Sequence, residues 1–430
     1  MQITIDTKAF LYEDVSLPEV WTVRQTGNAP VLADVTGAAK EAAISLFADP
    51  RLRPGASVAV GVGSRGIANL AEIVRTVVSV LKQRSCTPFI VPAMGSHGGA
   101  TAEGQASILA DYGITEAGVG APVRATMEVK QVGALDDGYP VYFDCNALSA
   151  DAVIVINRIK HHTDFSGEVE SGLGKMCAIG LGKQKVAATI HRFGAQGLRH
   201  TMPKVARKLV ETVNIIGGVG IIENQFGQTA EIHGLPASEF AERGEKDLLA
   251  RARALCPRLP FEEIDVLVLD YMGKDISGSG MDTHVIGRLR MPSVDEREWD
   301  GPNVRIVCVL YVTDRSHGNA AGIGLADMTT RKLIEKIDFA ATTMNHVTSG
   351  EGGIYRGKLP LILDDEEACV RAAISGCGRG HYDKVRLVRI RNTEFVQTME
   401  VSQAMLDECR GREDLQVDSS PHKQIGRAHV

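Results

Sequence analysis

Residues 152–191 read AVIVINRIKHHTDFSGEVESGLGKMCAIGLGKQKVAATIH, and this stretch decides the fold. Its opening, 152–157, is a short apolar run rich in β-branched residues, the pattern of a strand buried on both faces of a parallel sheet. From Lys160 onward the chain gathers His161, His162 and His191, Lys175, Lys183 and Lys185, and a series of glycines. This segment begins where the strand ends. Open α/β folds place their ligands in loops leaving the carboxyl ends of strands. Glycines let the backbone approach a bound group closely, and imidazoles bind metal or move protons. The stretch reads as a ligand site, for something anionic, metallic or both.

Working outward, 57–62 and 87–91 are further apolar strands, each followed by a small-residue turn and then a helix, at 67–82 and 102–112. Parallel strands all point one way, so the turns carrying Arg65 and His97 should share an edge with the loop after Asn157. A helix follows at 201–213, a glycine-bearing strand at 215–223 and a charged amphipathic helix at 237–255. A second series starts with the strand 265–270, which opens into the glycine-rich loop 273–282. It continues through a strand at 305–312, a helix ending near 339 and a last strand at 384–391. At 430 residues the chain is too long for one core. The expectation is α/β, two α/β domains with parallel-type sheets and an active-site cleft between them. The first spans 1–258 and carries the site lysine and histidines, the second spans 259–410, and 411–430 is a polar tail read as disordered or artefactual.

Composition narrows the function. A net charge of −6 argues against nucleic acid as a partner, and no apolar run reaches the ~20 residues needed to cross a bilayer. The start, MQITIDTKAFLYED, lacks a secretory pattern, and the eight cysteines include no CxxC pair, so a cytoplasmic protein with reduced thiols is expected. The phosphate-binding GxxxxGK[ST] and dinucleotide GxGxxG patterns are missing, as are HExxH and a cysteine quartet. Arg65 on its βα turn suits a carboxylate, although a solvated arginine is as common. His97, among small residues before a helix, is open to an anion or equally to a structural role. His161 and His162 point opposite ways if extended, so one at most should face the site. Lys175, Lys183 and Lys185 could hold phosphate, but surface lysines are commoner.

Four motifs in order carry a resemblance further. They are GSHGGAT at 95–101, KHHTDFxGxxESGLxKMxxIGLGK at 160–183, GKDISGSGMD at 273–282 and GIGLADMTTRKL at 322–333. Together they resemble the lactate racemase family, as a divergent branch of these nickel-pincer-nucleotide enzymes that racemise or epimerise 2-hydroxy acids. The resemblance implies an isomerase using a lysine-tethered pyridinium-3,5-bisthiocarboxylic acid mononucleotide nickel cofactor. It implies that Lys175 bears the cofactor, His191 ligates nickel, and His97 and His162 are the catalytic acid/base pair. It makes Arg65 a substrate contact and Lys274 a positional candidate for a second one. Partners would be a small 2-hydroxy acid and the cofactor-biosynthesis enzymes, with no nucleic acid and no membrane. The alternatives are a non-catalytic carrier of the cofactor, or a 2-hydroxy acid oxidoreductase using it.

Overall fold

The computed structural model describes residues 15–27, 29–63, 66–296 and 299–423, apart from the side chains of His191 and Lys423. The chain forms two compact units, one of residues 30–256 and one of residues beyond 256 joined by those before 30. Strand β1 (Glu19–Gln25) belongs to the latter. Both units are α/β with mostly parallel sheets, as the alternation of apolar runs and helical periodicity predicts.

The 30–256 unit contains β2 (Ser57–Val62), β3 (Thr87–Pro92), β4 (Val129–Ala134), β5 (Pro140–Asp144), β6 (Ala152–Arg158), β7 (Ile215–Glu223) and β8 (Thr229–Pro236). Five of these form a sheet in the order β3-β2-β6-β7-β8, parallel except for the antiparallel edge strand β8. The remaining two, β4 and β5, pair as a separate antiparallel ribbon. Val62 lies opposite Pro92 on one side and Ile156 on the other, so β2 and β3 end level and β6 runs on to Arg158. One connection leaves β2 toward β3 and another leaves β6 toward β7. The strand order thus reverses between β2 and β6, and a crevice opens there.

Alternation along the strands sorts side chains to the two faces. Val58, Val60, Val62, Ile154 and Ile156 enter a core shared with Ala39, Ile73, Val77 and Leu81 of the helices Val35–Ser45 and Leu70–Gln83. The opposite face carries Gly61 and Gly218, and the chain from Leu173 to Leu181 presses directly onto it. A Cβ on Gly218 would lie 3.1 Å from Leu173 Cδ1. Small residues here set the depth at which Lys175 is held.

The second unit adds β9 (Glu263–Met272), β10 (Asn303–Val312), β11 (Met328–Thr330), β12 (Leu361–Leu363), β13 (Leu387–Ile390), β14 (Thr398–Ser402), β15 (Leu415–Val417) and β16 (His422–Lys423). The sheet order is β12-β11-β10-β9-β13-β14-β1-β15, with β16 also pairing β1. The five strands from β12 to β13 run parallel, and β14, β1 and β15 extend them antiparallel. Leu267 and Leu269 enter one core and Val266 and Val268 the other, so β9 is buried on both faces. Asp265 is buried at its start, 3.0 Å from Arg379 Nε and 3.2 Å from Arg305 Nε, and its carboxylate accepts the Arg386 N–H at 2.9 Å.

Several boundaries differ from the sequence reading. Residues 19–25 do not join the first domain, because β1 pairs with β14 from the far end of the chain. The 411–430 stretch is not a loose tail throughout: β15 and β16 both pair with β1, while 424–430 lie outside the described residues. The strand near 384–391 is not the last, and the helix expected over 237–255 starts only at Arg243, after a short turn at Ala237–Glu239. The helix expected to end near 339 covers only Arg331–Glu335, after β11, and a separate helix begins at Phe339. Among the described residues no helix is long and apolar enough to cross a membrane.

Candidate active site

Three loops at the carboxyl edge of the five-stranded sheet close around a pocket of about 120 Å³. After β2 comes Ile67; after β3, Ala93 to Gly95 and His97; from the end of β6, Asn157 and Arg158; and after it, Lys160 to Thr163. Lys175, Met176, Ile179 and Gly180 of the following helical segment complete the wall. Every described lining residue belongs to the 30–256 unit. Close backbone approach builds it. A Cβ at Gly180 would come within 2.8 Å of the Ala93 carbonyl oxygen, and the Gly95 N–H donates to the Gly180 carbonyl at 3.1 Å. Residues Met176–Gly180 form a single π-helical turn, a local widening often found at functional sites.

His97 is exposed and sits in extended backbone just before the turn Gly98–Ala100. Beneath it lies the fully buried Gln105, whose amide donates to the carbonyls of Gly95 at 2.9 Å and His97 at 3.3 Å. The Gln105 oxygen accepts from Lys183 Nζ at 3.0 Å, and that amine also donates to the Pro92 carbonyl. Asp144, at the end of β5, places Oδ2 3.2 Å from the same amine, close enough for an ion pair although outside hydrogen-bond geometry. Both charges are fully buried. Burial pushes the Lys183 amine down and the Asp144 carboxyl up, and each charge partly offsets the shift of the other. Lys183 is thus a structural lysine tying β5 to the His97 turn.

His162 is held from the opposite side. Backbone bonds between Lys160 and Ser171, at 3.0 and 3.2 Å, close a loop over the residues between them. Glu170 fills that loop: Oε2 accepts the His162 N–H at 2.5 Å, and Oε1 accepts the Gly167 N–H at 2.8 Å and Arg253 Nη2 at 2.5 Å. The His162 ring packs 4.7 Å from Phe165, centroid to centroid. Its Nδ1 accepts the Asp164 N–H at 3.1 Å, which in the neutral ring puts the proton on Nε2. The Asp164 carboxylate, 3.9 Å from Nδ1, is too distant to hydrogen-bond it. His161 is 4% exposed and also lines the pocket, because the chain coils here instead of running extended. Both neighbouring histidines therefore face the site, against the expectation of one.

Lys175 stands in the first turn after Gly172, with Glu245 buried under it. Glu245 Oε1 accepts the Gly174 N–H at 2.9 Å and Oε2 the Ala241 N–H at 2.7 Å. Burial pushes this carboxyl up, opposed by the N–H groups it accepts. Cβ atoms at Gly172 or Gly174 would collide with the carboxylate, at 2.4 and 2.9 Å. No aspartate or glutamate is among the described lining residues, whereas Arg158, Lys160 and Lys175 are. Arg158 is paired with Glu223. A lining with basic and no acidic side chains suits an anion.

The structure thus brings His97, His162 and Lys175 together from three separate segments. His191 lies in the helix Lys183–Arg192, its side chain outside the described residues, as is all of Arg65. Lys274 lies in the other unit, where its amine donates to the Gly278 carbonyl at 2.5 Å and Asn345 Oδ1 at 3.1 Å. Lys185 stacks over the Tyr142 ring at 4.0 Å and does not line the pocket. Sequence reasoning missed Gln105, Asp144, Glu170, Glu245 and Arg253. Each acts through a partner distant in sequence, and no local spacing signals it. Among the described residues no group of three or more His, Cys, Asp or Glu side chains is placed to hold a metal ion.

No protein-family model matches the chain, and no curated protein matches it. Among solved structures, the lactate racemase apoprotein from Thermoanaerobacterium thermosaccharolyticum is similar at 9% identity, over 83% of this chain and 91% of that one, with a TM-score of 0.48. A likeness of that degree assigns neither activity nor site residues.

Proposed function

We propose that this chain is a 2-hydroxy acid racemase or epimerase working with a nickel-pincer nucleotide tethered to Lys175. The observation that supports the reading is the convergence of His97, His162 and Lys175 on one pocket, lined by no described carboxylate, at the crevice of a parallel sheet. The motif resemblance pairs the same three residues. The donor chemistry fits such a group: a lysine amine for covalent attachment, cations for its anionic parts and no lining carboxylate to repel it. A pocket of about 120 Å³ encloses the reacting end alone, and the rest of a nucleotide would extend beyond it. Only one protein ligand to nickel is required, in the reading His191, so a multi-residue metal cluster is not demanded.

When bound, the cofactor supplies a hydride acceptor, which avoids forming a free carbanion from a very weakly acidic C–H. The chain's own residues do the rest. Two of the pocket's three imidazoles, those of His97 and His162, would take and return the hydroxyl proton of either enantiomer, as general acid/base groups do. The Asp164 N–H bond makes neutral His162 a donor at Nε2, ready to return a proton to substrate oxygen. Lys160 lines the pocket on the side of the substrate carboxylate, with Arg65 and Lys274 as the contacts the resemblance implies. The 2-hydroxy acid itself is the expected ligand class, and the cofactor-making enzymes are the expected partners.

The test is co-expression with the cofactor-making enzymes, followed by intact mass, nickel analysis and turnover of an α-deuterated 2-hydroxy acid. The reading expects a cofactor mass that Lys175→Ala removes and label returned to both enantiomers. Stoichiometric release of a keto acid would replace it with the oxidoreductase reading. An unmodified Lys175 with no nickel would end it.

A further inference from the structure

A second cavity of the same unit, a cleft of about 620 Å³, lies on the far side of the Glu170 loop. One wall is the 166–168 turn. The other is the helical run through Arg199, His200, Lys204 and Arg207, and Arg253 enters from the helix Arg243–Leu255. Helical spacing brings His200, Lys204 and Arg207 to one face. Gly167 leaves room for the stem of Arg199, whose Cγ lies 3.6 Å from where a Cβ would stand.

The charge in this cleft is not balanced. Arg207 pairs with Glu242 at 2.5 Å, Arg253 with Glu170 at 2.5 Å, and Glu168 with Lys246 at 2.6 Å. Arg199 and Lys204 have no carboxylate within ion-pair distance among the described residues. Five permanent cations against three carboxylates leave a local charge of about +2, in a chain whose total is −6. Guanidinium forks match tetrahedral oxyanions, and lysine adds a mobile point charge. The volume exceeds a bare oxyanion and falls within the range of small-molecule sites, roughly 300–1,000 Å³.

We propose that this cleft binds a small phosphate-bearing dianion, at a site separate from the histidine pocket. Arg253 is common to the cleft and to Glu170, whose other oxygen holds the His162 N–H, so an anion here sits two bonds of contact away from the proposed acid/base residue. The proposal does not depend on the racemase reading.

The test is calorimetric titration of the full chain with inorganic phosphate and, separately, glycerol phosphate, at constant ionic strength maintained with chloride. One saturable site is expected, tighter for glycerol phosphate if a phosphomonoester is the ligand and tighter for phosphate if the free ion is. Arg199→Ala/Lys204→Ala should weaken binding at least about tenfold, from the loss of two charge-assisted contacts. Arg199→Gln alone, expected to weaken it several-fold, serves if the double variant is unstable. Lys175→Ala should leave the affinity within about twofold, since the histidine pocket is elsewhere. Absence of saturation by either probe up to about 10 mM, well beyond the affinity of a specific site, would overturn the proposal. So would binding that survives the loss of Arg199 and Lys204, or that disappears with Lys175.

Discussion

Replacing Glu245 by glutamine tests whether a buried carboxylate sets the helix that carries Lys175. Glutamine keeps the shape but has one acceptor oxygen where the carboxylate has two. Either the Gly174 N–H or the Ala241 N–H, now bonded at 2.9 and 2.7 Å, must face an NH₂ group. A buried donor left unmatched costs about 1–3 kcal/mol. The pH dependence has a definite sign. Burial raises the folded-state pKa of Glu245 above its unfolded value, so the folded state holds its proton more tightly. Its contribution is therefore fullest below the unfolded value of about 4.3 and declines as pH rises through the folded one. The stability gap between wild type and Glu245→Gln should narrow from pH 4 to pH 7. Urea denaturation at both pH values gives the gap, and amide hydrogen exchange at 173–176 shows whether the turn has loosened. A variant as stable as wild type, with unchanged exchange there, would refute the account.

Other outcomes follow from the same network. Lys183→Met strands the fully buried Asp144 carboxylate and should cost about 3–5 kcal/mol; Asp144→Asn in the same chain should recover part of that loss, as denaturation midpoints would show. Asp265 is pushed up by burial but more strongly down by Arg379 and Arg386, leaving its carboxyl below the usual range. Its contribution is thus present above the unfolded value of about 3.9 and lost as pH falls through the folded one. Wild type should therefore lose stability more steeply than Asp265→Asn between pH 4 and pH 2.5, and parallel acid limbs would dismiss the arginine cage. In cofactor-loaded protein, His97→Ala and His162→Ala should each slow racemisation about 10²–10⁴-fold in both directions while the tether on Lys175 stays intact. Wild-type turnover in either variant would make that histidine structural.

Much of the first unit was legible in the sequence because its strands are short uninterrupted apolar runs. Ile215–Glu223 coincides with the strand read from the sequence, and 57–62 likewise. Parallel direction then forces the turns after β2, β3 and β6 to one edge, which is why His97 and His162 could be paired without contacts. What stayed hidden depends on distance along the chain. Nothing near 19–25 says that its partner is 398–402. Likewise Glu170 and Glu245 look like two more charges on solvated segments. Their burial is decided by Arg253 in one case, and in the other by backbone N–H groups that no residue type announces. The coil at 161–162 defeats the alternation rule because that rule assumes an extended chain.

Lys183 also has a backbone consequence. Its φ of 56° is left-handed, an uncommon state for a residue with a side chain, and it interrupts the helix between Lys175 and His191. Sixteen residues of unbroken α-helix would set those two residues about 24 Å apart along a rigid rod, at 1.5 Å per residue. With the break, the two helical pieces take independent headings, and the span is no longer fixed by residue count. An insertion or deletion between 176 and 182 would shift the later piece against the Pro92 and Gln105 contacts that hold Lys183. Because Met176, Ile179 and Gly180 line the histidine pocket and the Lys183 amine is fixed at Pro92 and Gln105, single-alanine insertions between 176 and 182 should each lower the denaturation midpoint, which an insertion series can map.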